Sequence, residues 1–367
     1  MQRSPVPIRR DWRQRVEALG FEFHTLDGPY WVEDACYRFD QVEIDRLESA
    51  GNELHAMCLD AVADIVRTGD YARLGLGPIA ATLAERAWRA GEQALYGRMD
   101  LAYDGTAPPK LLEYNADTPT ALFEAAVVQW YWLEDTRAGL DQFNLLHEAL
   151  VRRWPALIPE GSCVHFAGSL EAVEDRVTTD YLRDTCTQAG FAATLLDMSD
   201  IGWKDGQFVD LDDHPIRALF KLYPWEWMVE EPFARHLPDL ALRIVEPAWK
   251  QLLSNKSLLP LLWERHRGHP NLLAASHDPR DIEGRVVAKP RFGREGEGVR
   301  VSDPDRGMHF AEPGMVYQAH APLYRSEAGY GLVGLWVVGD EAVGLGMRED
   351  ANPVTGNASR FVPHCFG

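Results

Sequence analysis

Positive charge is in short supply. Against 56 Asp and Glu the chain carries 37 Lys and Arg, a formal net charge of −19 at pH 7. That balance argues against nucleic acid or an anionic membrane as the main partner. Any phosphate site must therefore be a locally basic patch in an acidic protein. Cysteine is sparse as well. Cys36, Cys58, Cys163, Cys186 and Cys365 are scattered, odd in number and free of any Cys-x-x-Cys, so they read as reduced thiols rather than a disulfide framework. No apolar run reaches membrane-spanning length, and the basic N-terminus has no hydrophobic core behind it. A soluble, cytoplasmic protein is expected. Internal repeats, low-complexity tracts and long linkers are missing too.

What is there suits several fused lobes. At 367 residues the chain is too long for one compact module. The lobes are expected at 1–150, 151–245 and 246–367. Apolar and charged contents of 46% and 25% are ordinary, but twelve tryptophans suggest deep apolar walls. Helical spacing of Val42, Leu47, Leu54, Met57, Ala61 and Ile65 predicts a helix from Asp40 to Arg67. Others are expected over Pro78–Leu95, Ala121–Leu133 and Lys256–His266. Strands at Val164–Ala167, Ala192–Leu196 and Ala218–Leu222, with a helix over Thr179–Gln188, form an α/β pattern. Antiparallel strands are expected near 299–302, 315–319, 332–338 and 342–347, the last two joined by a Gly-Asp turn.

Two stretches carry chemistry. The first is Leu111-Leu112-Glu113-Tyr114-Asn115-Ala116-Asp117-Thr118-Pro119-Thr120. In a strand Glu113 and Asn115 share a face while Tyr114 points back. A carboxylate beside an amide oxygen is a hard-oxygen site that Mg²⁺ accepts together with phosphate oxygens. Thr118 and Thr120 add hydroxyls at the turn that opens the next helix, where free N–H groups favour anions. Upstream, Arg98 and Asp100 offer a cation and another carboxylate. The second stretch is Lys289-Pro290-Arg291-Phe292-Gly293-Arg294-Glu295-Gly296-Glu297-Gly298. Its glycines allow close approach of backbone N–H groups to phosphate, with Lys289 as a point charge. The spacing is neither a P-loop nor the dinucleotide fingerprint, and a plain hairpin turn suits it equally. Lys256 is a second phosphate lysine, Gln318 offers an edge to adenine, and Arg348 closes the last hairpin with another cation.

Taken together, these segments resemble the glutathionylspermidine synthase family, in particular its stand-alone acid–amine ligase members. The likeness is carried by residues 111–120, Leu-Ser-Asn-Lys (253–256), Ala-Lys-Pro-x-x-Gly-Arg-x-Gly (288–296), Tyr-Gln (317–318) and Ser-Arg-Phe-Val-Pro-His (359–364). It implies an α+β fold: ATP-grasp of the circularly permuted, glutathione synthetase-like kind, with an α/β pre-ATP-grasp-like lobe. It implies ATP and Mg²⁺ as cofactors, with Asp100, Glu113 and Asn115 as metal ligands. Arg98 and Arg348 would face the transferring phosphate as catalytic groups and also touch ATP. Lys256, Lys289, Glu295, Gly296 and Gln318 would complete the ATP site. Thr118, with Thr120 beside it, would meet the acid substrate, and Glu174 with Asp175 the amine. Two departures stand out. No Cys/His amidase domain is expected, since residue 1 leads into the synthetase-like part. The acidic residue the family carries beyond the late arginine is replaced near Ser359 and Arg360, which puts spermidine in question.

The expected activity is ATP-dependent joining of a small-molecule acid, peptide-like in kind, to an amine such as a polyamine. A phosphotransferase using the same nucleotide site is the alternative.

Overall fold

The computed structural model describes residues 1–25, 28–240, 242–294, 296–302, 308, 310–356 and 359–367. The elements that build the site are, in chain order, α1 (Gln41–Thr68), β1 (Tyr96–Ala102), β2 (Lys110–Asn115), β3 (Cys163–Gly168), α2 (Val173–Gln188), β4 (Ala192–Asp197), β5 (Ala218–Leu222), β6 (Arg243–Val245), α3 (Leu258–Arg265), β7 (Val286–Pro290), β8 (Met315–Ala319), β9 (Gly329–Val338), β10 (Glu341–Asp350) and β11 (Arg360–Val362).

Three sheets share the work. The largest runs β11-β10-β9-β1-β2, antiparallel throughout, with Tyr324–Ser326 paired to β9. Strands from the two ends of the chain are thus neighbours, and β1 lies in the interior with all seven residues buried. A second sheet, β6-β5-β3-β4, is parallel, as the strand–helix alternation of 163–245 requires. The third joins β7 and β8 to the short strands Ala275–Ser276 and Arg300–Val301.

Helix α1 begins with a capping box, in which the Asp40 side chain accepts from Glu43 N–H and the Glu43 side chain from Asp40 N–H, and it ends at the left-handed Gly69. Its buried Leu47, Leu54, Cys58, Ala61 and Ile65 share one core with Leu335, Leu345 and Met347 of the large sheet. Each buried Leu, Ile or Met among them contributes about 1.5–3 kcal/mol. A second core, around Trp132, Trp154, Phe166 and Phe220, lies between the two larger sheets.

Several boundaries differ from the expectation. The helix from Pro78 stops at Arg89. Gly91 takes φ +66°, and the N–H groups of Leu95 and Tyr96 are drawn to the buried carboxylate of Glu246. The helix placed at Lys256 starts at Leu258, because Asn255 caps Ser257 N–H at 2.9 Å and bonds Leu74 O at 2.7 Å, leaving Lys256 outside the helix. Over Ala121–Leu133 the chain forms a π-turn, Glu124–Val128, before an α-helix over Gln129–Thr136. Here the Gln129 amide donates to Ala125 O and to Leu345 O across the core. All five cysteines are free, and among the described residues no helix is long and apolar enough to cross a membrane.

Candidate active site

Register explains why Arg98, Asp100, Glu113 and Asn115 meet. Across β1 and β2, Arg98 faces Asn115 and Asp100 faces Glu113, so the two i, i+2 pairs form one patch on one face. Arg98 donates to Asp100 through Nε at 2.7 Å and Nη2 at 3.2 Å, and to Thr120 O through Nη1 at 2.6 Å. From β10, Arg348 Nη2 reaches Asp100 Oδ2 at 2.6 Å. Strand β9 lies between β1 and β10, and its Gly334 leaves the space that Arg98 crosses. A Cβ there would sit 2.9 Å from Arg98 Cδ. Burial works against Arg98, yet Asp100 holds its pKa above the ordinary value. Burial and the neighbouring Arg98 lower that of Arg348.

Glu113 faces the cleft. Its Oε2 lies 3.0 Å from Lys256 Nζ, and Asn115 Nδ2 bridges Glu113 and Asp100 at 3.2 Å to each. Burial alone would raise the Glu113 pKa, but Lys256 and Lys289 hold it well below the usual carboxylate range. Lys289 is pinned between Leu112 O and Gln318 Oε1, both at 2.7 Å. Burial pushes it down to about 8, with Lys256 adding to the effect and Glu113 and Asp100 opposing it. Gln318 gives its other edge to Leu111 O at 2.9 Å, so its amide locks Lys289 to β2.

Asp100, Glu113, Lys256, Lys289 and Gln318 line one end of a cleft of ≈ 780 Å³. The other end is apolar, with Val287, Val301, Leu323 and Leu332, and the loop 353–355 forms a wall. An apolar slot that ends in two lysines and two carboxylates suits a planar base with a polyphosphate tail. The glycine loop closes over the cleft. Lys256 Nζ donates to Gly293 O at 2.6 Å, and Arg294 reaches Thr118 Oγ1 at 2.7 Å and Glu226 at 2.8 Å. Gly296 has φ +71°, and a Cβ there would press into Thr355 O. Glu295 lies outside the described residues.

Donor chemistry fits a hard divalent cation completed by phosphate oxygens: two carboxylates and one amide, rather than a closed protein cage. Among the described residues no group of three His, Cys, Asp or Glu gathers as a metal site by itself. Asn115 turns its NH₂ toward both carboxylates, so liganding through its oxygen requires the amide to flip.

The Thr118–Thr120 turn is held from below. Asp117, fully buried, accepts from Lys221 Nζ at 2.7 Å and from Trp225 N–H at 2.8 Å. Glu174 and Asp175 occupy the first turn of α2. Glu174 lies within electrostatic reach of Tyr30 and Glu124, and Asp175 of Tyr96, whose hydroxyl donates to Pro119 O. Arg360 pairs with Glu349 at 2.6 Å and faces away from Arg348, which β11 meets with Phe361. A larger, mostly apolar cavity opens at the carboxyl ends of the parallel strands, beside Ser169, Asp197, Tyr223 and Phe233. It is lined by none of the charged residues above.

Sequence reading had passed over Arg294, Asp117 with Lys221, Tyr30 and Glu124 as site residues. Glu124 left a signal, since it is the single acid between Ala121 and Leu133.

Comparison with known proteins shows what the chain as a whole resembles. A family model described as Glutathionylspermidine synthase preATP-grasp matches residues 3–367. A Haemophilus influenzae protein named "Putative acid--amine ligase" is 43% identical over 386 residues, with 98% of each chain covered. Trypanothione synthetase of Crithidia fasciculata is 30% identical over 392 residues, covering 95% of this chain but 57% of its own. The bifunctional glutathionylspermidine synthetase/amidase of Escherichia coli is 26% identical over 394 residues, covering 96% and 63%. The chain therefore spans only part of these longer relatives. Among solved structures, the glutathione synthetase-like effector GSS30 of Globodera pallida aligns with a TM-score of 0.58 at 11% identity, covering 99% of this chain and 100% of its own. A protein of Methylobacillus flagellatus titled "Putative gamma-glutamylcysteine synthetase" gives 0.51 at 10%, covering 86% and 88%. At such identities the likeness shows the fold alone, an α+β fold of the glutathione synthetase-like kind.

Proposed function

The chain belongs to the glutathionylspermidine synthase preATP-grasp family and is an ATP-dependent acid–amine ligase, and we propose that it forms its amide through an acyl phosphate made in the cleft between β1–β2 and the glycine loop. The observation that carries this is the meeting of Arg98, Asp100 and Arg348 with Glu113, Lys256 and Lys289 at the polar end of an apolar slot.

In this reading the slot takes adenine, and Lys256 and Lys289 hold the phosphates as point charges. Asp100, Glu113 and Asn115 would hold Mg²⁺, which would supply charge neutralisation to the nucleotide's phosphates. Thr118 and Thr120 present hydroxyls to the acid. Its carboxylate oxygen attacks the γ-phosphorus and ADP leaves, while Arg98 and Arg348 balance charge on the transferring group. An arginine in that role is worth up to ~10³–10⁵ in rate. The glycine loop excludes water from the acyl phosphate. Glu174 and Asp175 receive the protonated amine by charge-assisted hydrogen bonds, which favours a polyamine or another dibasic partner. Attack of the neutral nitrogen forms the C–N bond and expels phosphate.

The order of elements, with the Glu-x-Asn strand ahead of the lysines and the glycine loop, supports the circularly permuted ATP-grasp arrangement. On that view 1–150 brings the metal strand, 151–245 the substrate lobe and 246–367 the lid and lysines. A matrix of acids, glutathione among them, against amines tests the reading by ADP release and product mass. ADP should appear only when acid and amine are both present. ADP released with a lone acceptor, together with a phosphorylated product, would overturn it in favour of phosphotransfer.

A further inference from the structure

Glu124 opens the π-turn that follows the Thr-Pro-Thr segment, and its side chain is completely buried. Oε1 accepts from the Tyr30 hydroxyl at 2.5 Å. Oε2, equally buried, has no hydrogen-bond partner. An unpaired buried oxygen costs about 1–3 kcal/mol, more when charged. A purely structural, neutral acid would donate its proton from Oε2 to an acceptor, and none lies within reach.

The charged and titratable groups facing it come from three directions. They are Tyr30 of the N-terminal segment, Glu174 at the start of α2 and Arg98 of β1, with Arg348 close to Tyr30. Burial and then Glu174 push Glu124 up to about 8, although the Tyr30 bond, its own backbone N–H and Arg98 pull it down. Glu124 is therefore within electrostatic reach of both an acidic helix start and the arginine that bonds Asp100. π-turns recur at functional sites because they take a side chain out of the regular ladder.

We propose that Glu124 is the base of the amide-forming step, where with Glu174 it seats the ammonium group of a primary alkylamine and removes the proton that blocks nitrogen attack. This rests on the ligase reading above. Two protons leave the nitrogen. The ammonium gives the first to the Glu124 carboxylate, producing the neutral amine and a carboxylic acid. The amine then attacks the acyl carbon, the C–N bond forms, the C–O bond to phosphate breaks, and the second proton departs with phosphate. Glu124 returns its proton to solvent after release. Arrival of the cation beside Oε2 favours the ionised carboxylate.

Infrared titration of the full chain reads the group without needing the acid. The wild type should show a protonated carboxylic-acid band that titrates near pH 8. At pH 7 the band should vanish on saturation with members of an alkylamine panel that includes 1,4-diaminobutane, and Glu124→Gln should lack it. Tyr30→Phe removes a donor that lowers the pKa, so its band should titrate at higher pH. A band missing at pH 6, or one that survives the whole panel, overturns the proposal. In turnover, Glu124→Gln should lose about 10²–10⁴-fold with alkylamines but little with hydroxylamine, a nucleophile already neutral at pH 7. Equal losses with both nucleophiles, or no loss with either, overturn the role of Glu124. Hydroxamate formed by wild type keeps the ligase reading intact in either case. Wild type that releases no ADP with any acid and nucleophile sinks that reading, while the infrared titration still decides whether Glu124 meets amines.

Discussion

Removing Asp117 or Lys221 should destabilise the fold far more than removing both. Neither side chain of this ion pair reaches solvent. Asp117 Oδ1 accepts from Lys221 at 2.7 Å and Oδ2 from Trp225 N–H at 2.8 Å. Lys221 also donates to Tyr223 O at 2.8 Å and lies 4.7 Å from the centroid of the Trp225 ring. Burial, though countered by Asp117, lowers the lysine's pKa, which marks it as a charge the interior tolerates only with its partner. Breaking such a pair costs about 3–5 kcal/mol, whereas replacing both members with groups of similar volume is often nearly neutral. Against a typical total of about 5–15 kcal/mol, either Asp117→Asn or Lys221→Met should remove a large share. The double variant should recover much of it, because the amide oxygen that Asp117→Asn leaves in place still accepts from Trp225 N–H. Urea unfolding of the four proteins gives the coupling energy, with tryptophan fluorescence and circular dichroism compared to verify one transition. Single variants within about 1 kcal/mol of wild type, or a double variant equal to the sum of the singles, would refute the argument.

Which parts of this molecule were legible in its sequence follows from the range of the interactions. Helix α1 was readable because its apolar period and its Asp40–Glu43 capping box are local. The Glu113-x-Asn115 face was readable because strand alternation is local too. By contrast, Arg348 lies 248 positions from Asp100 and Lys221 lies 104 from Asp117. No spacing rule announces such a pairing. It depends on β9 inserting between β1 and β10, which is a property of topology. The π-turn at Glu124 escaped for another reason, since it depends on the Gln129 amide bonding Ala125 O and Leu345 O, and an apolar pattern is compatible with α or π winding. For Lys256 the sequence predicts a helix that the structure begins only at Leu258, because the Asn255 cap that keeps it off requires Leu74 O from elsewhere.

Four further expectations follow from the same geometry. Glu113→Gln keeps the shape but takes one charge from the carboxylate pair and leaves Lys256 and Lys289 facing each other without it. ADP formation with Mg²⁺ should become undetectable while the circular dichroism is unchanged, and wild-type rates would reject the metal assignment. Gly296→Val forces a Cβ into Thr355 O at a positive φ. Turnover should collapse with the melting temperature moved by only a few degrees, and full turnover at saturating substrates would reduce the loop to a plain hairpin. Combining Glu174→Gln with Asp175→Asn should raise KM for the amine well beyond any change in KM for ATP, as expected for lost ground-state binding; equal amine KM values would remove both from the amine site. The last concerns stability against pH. Glu124 has a folded pKa of about 8 against its ordinary 4.5, so below pH 4.5 it is protonated in folded and unfolded chains alike and its contribution is complete. Between 4.5 and 8 the folded chain keeps a proton that the unfolded chain has released, so stability declines as pH rises and the contribution is gone above about 8. Glu124→Gln lacks this term, while Lys289, Glu174 and the other titrating groups remain in both proteins. The urea midpoint of the variant should therefore gain on wild type from pH 5 to pH 8 and then run level. Parallel curves over that range would show that Glu124 is ionised in the folded chain, against the burial and the Glu174 repulsion on which its assignment rests.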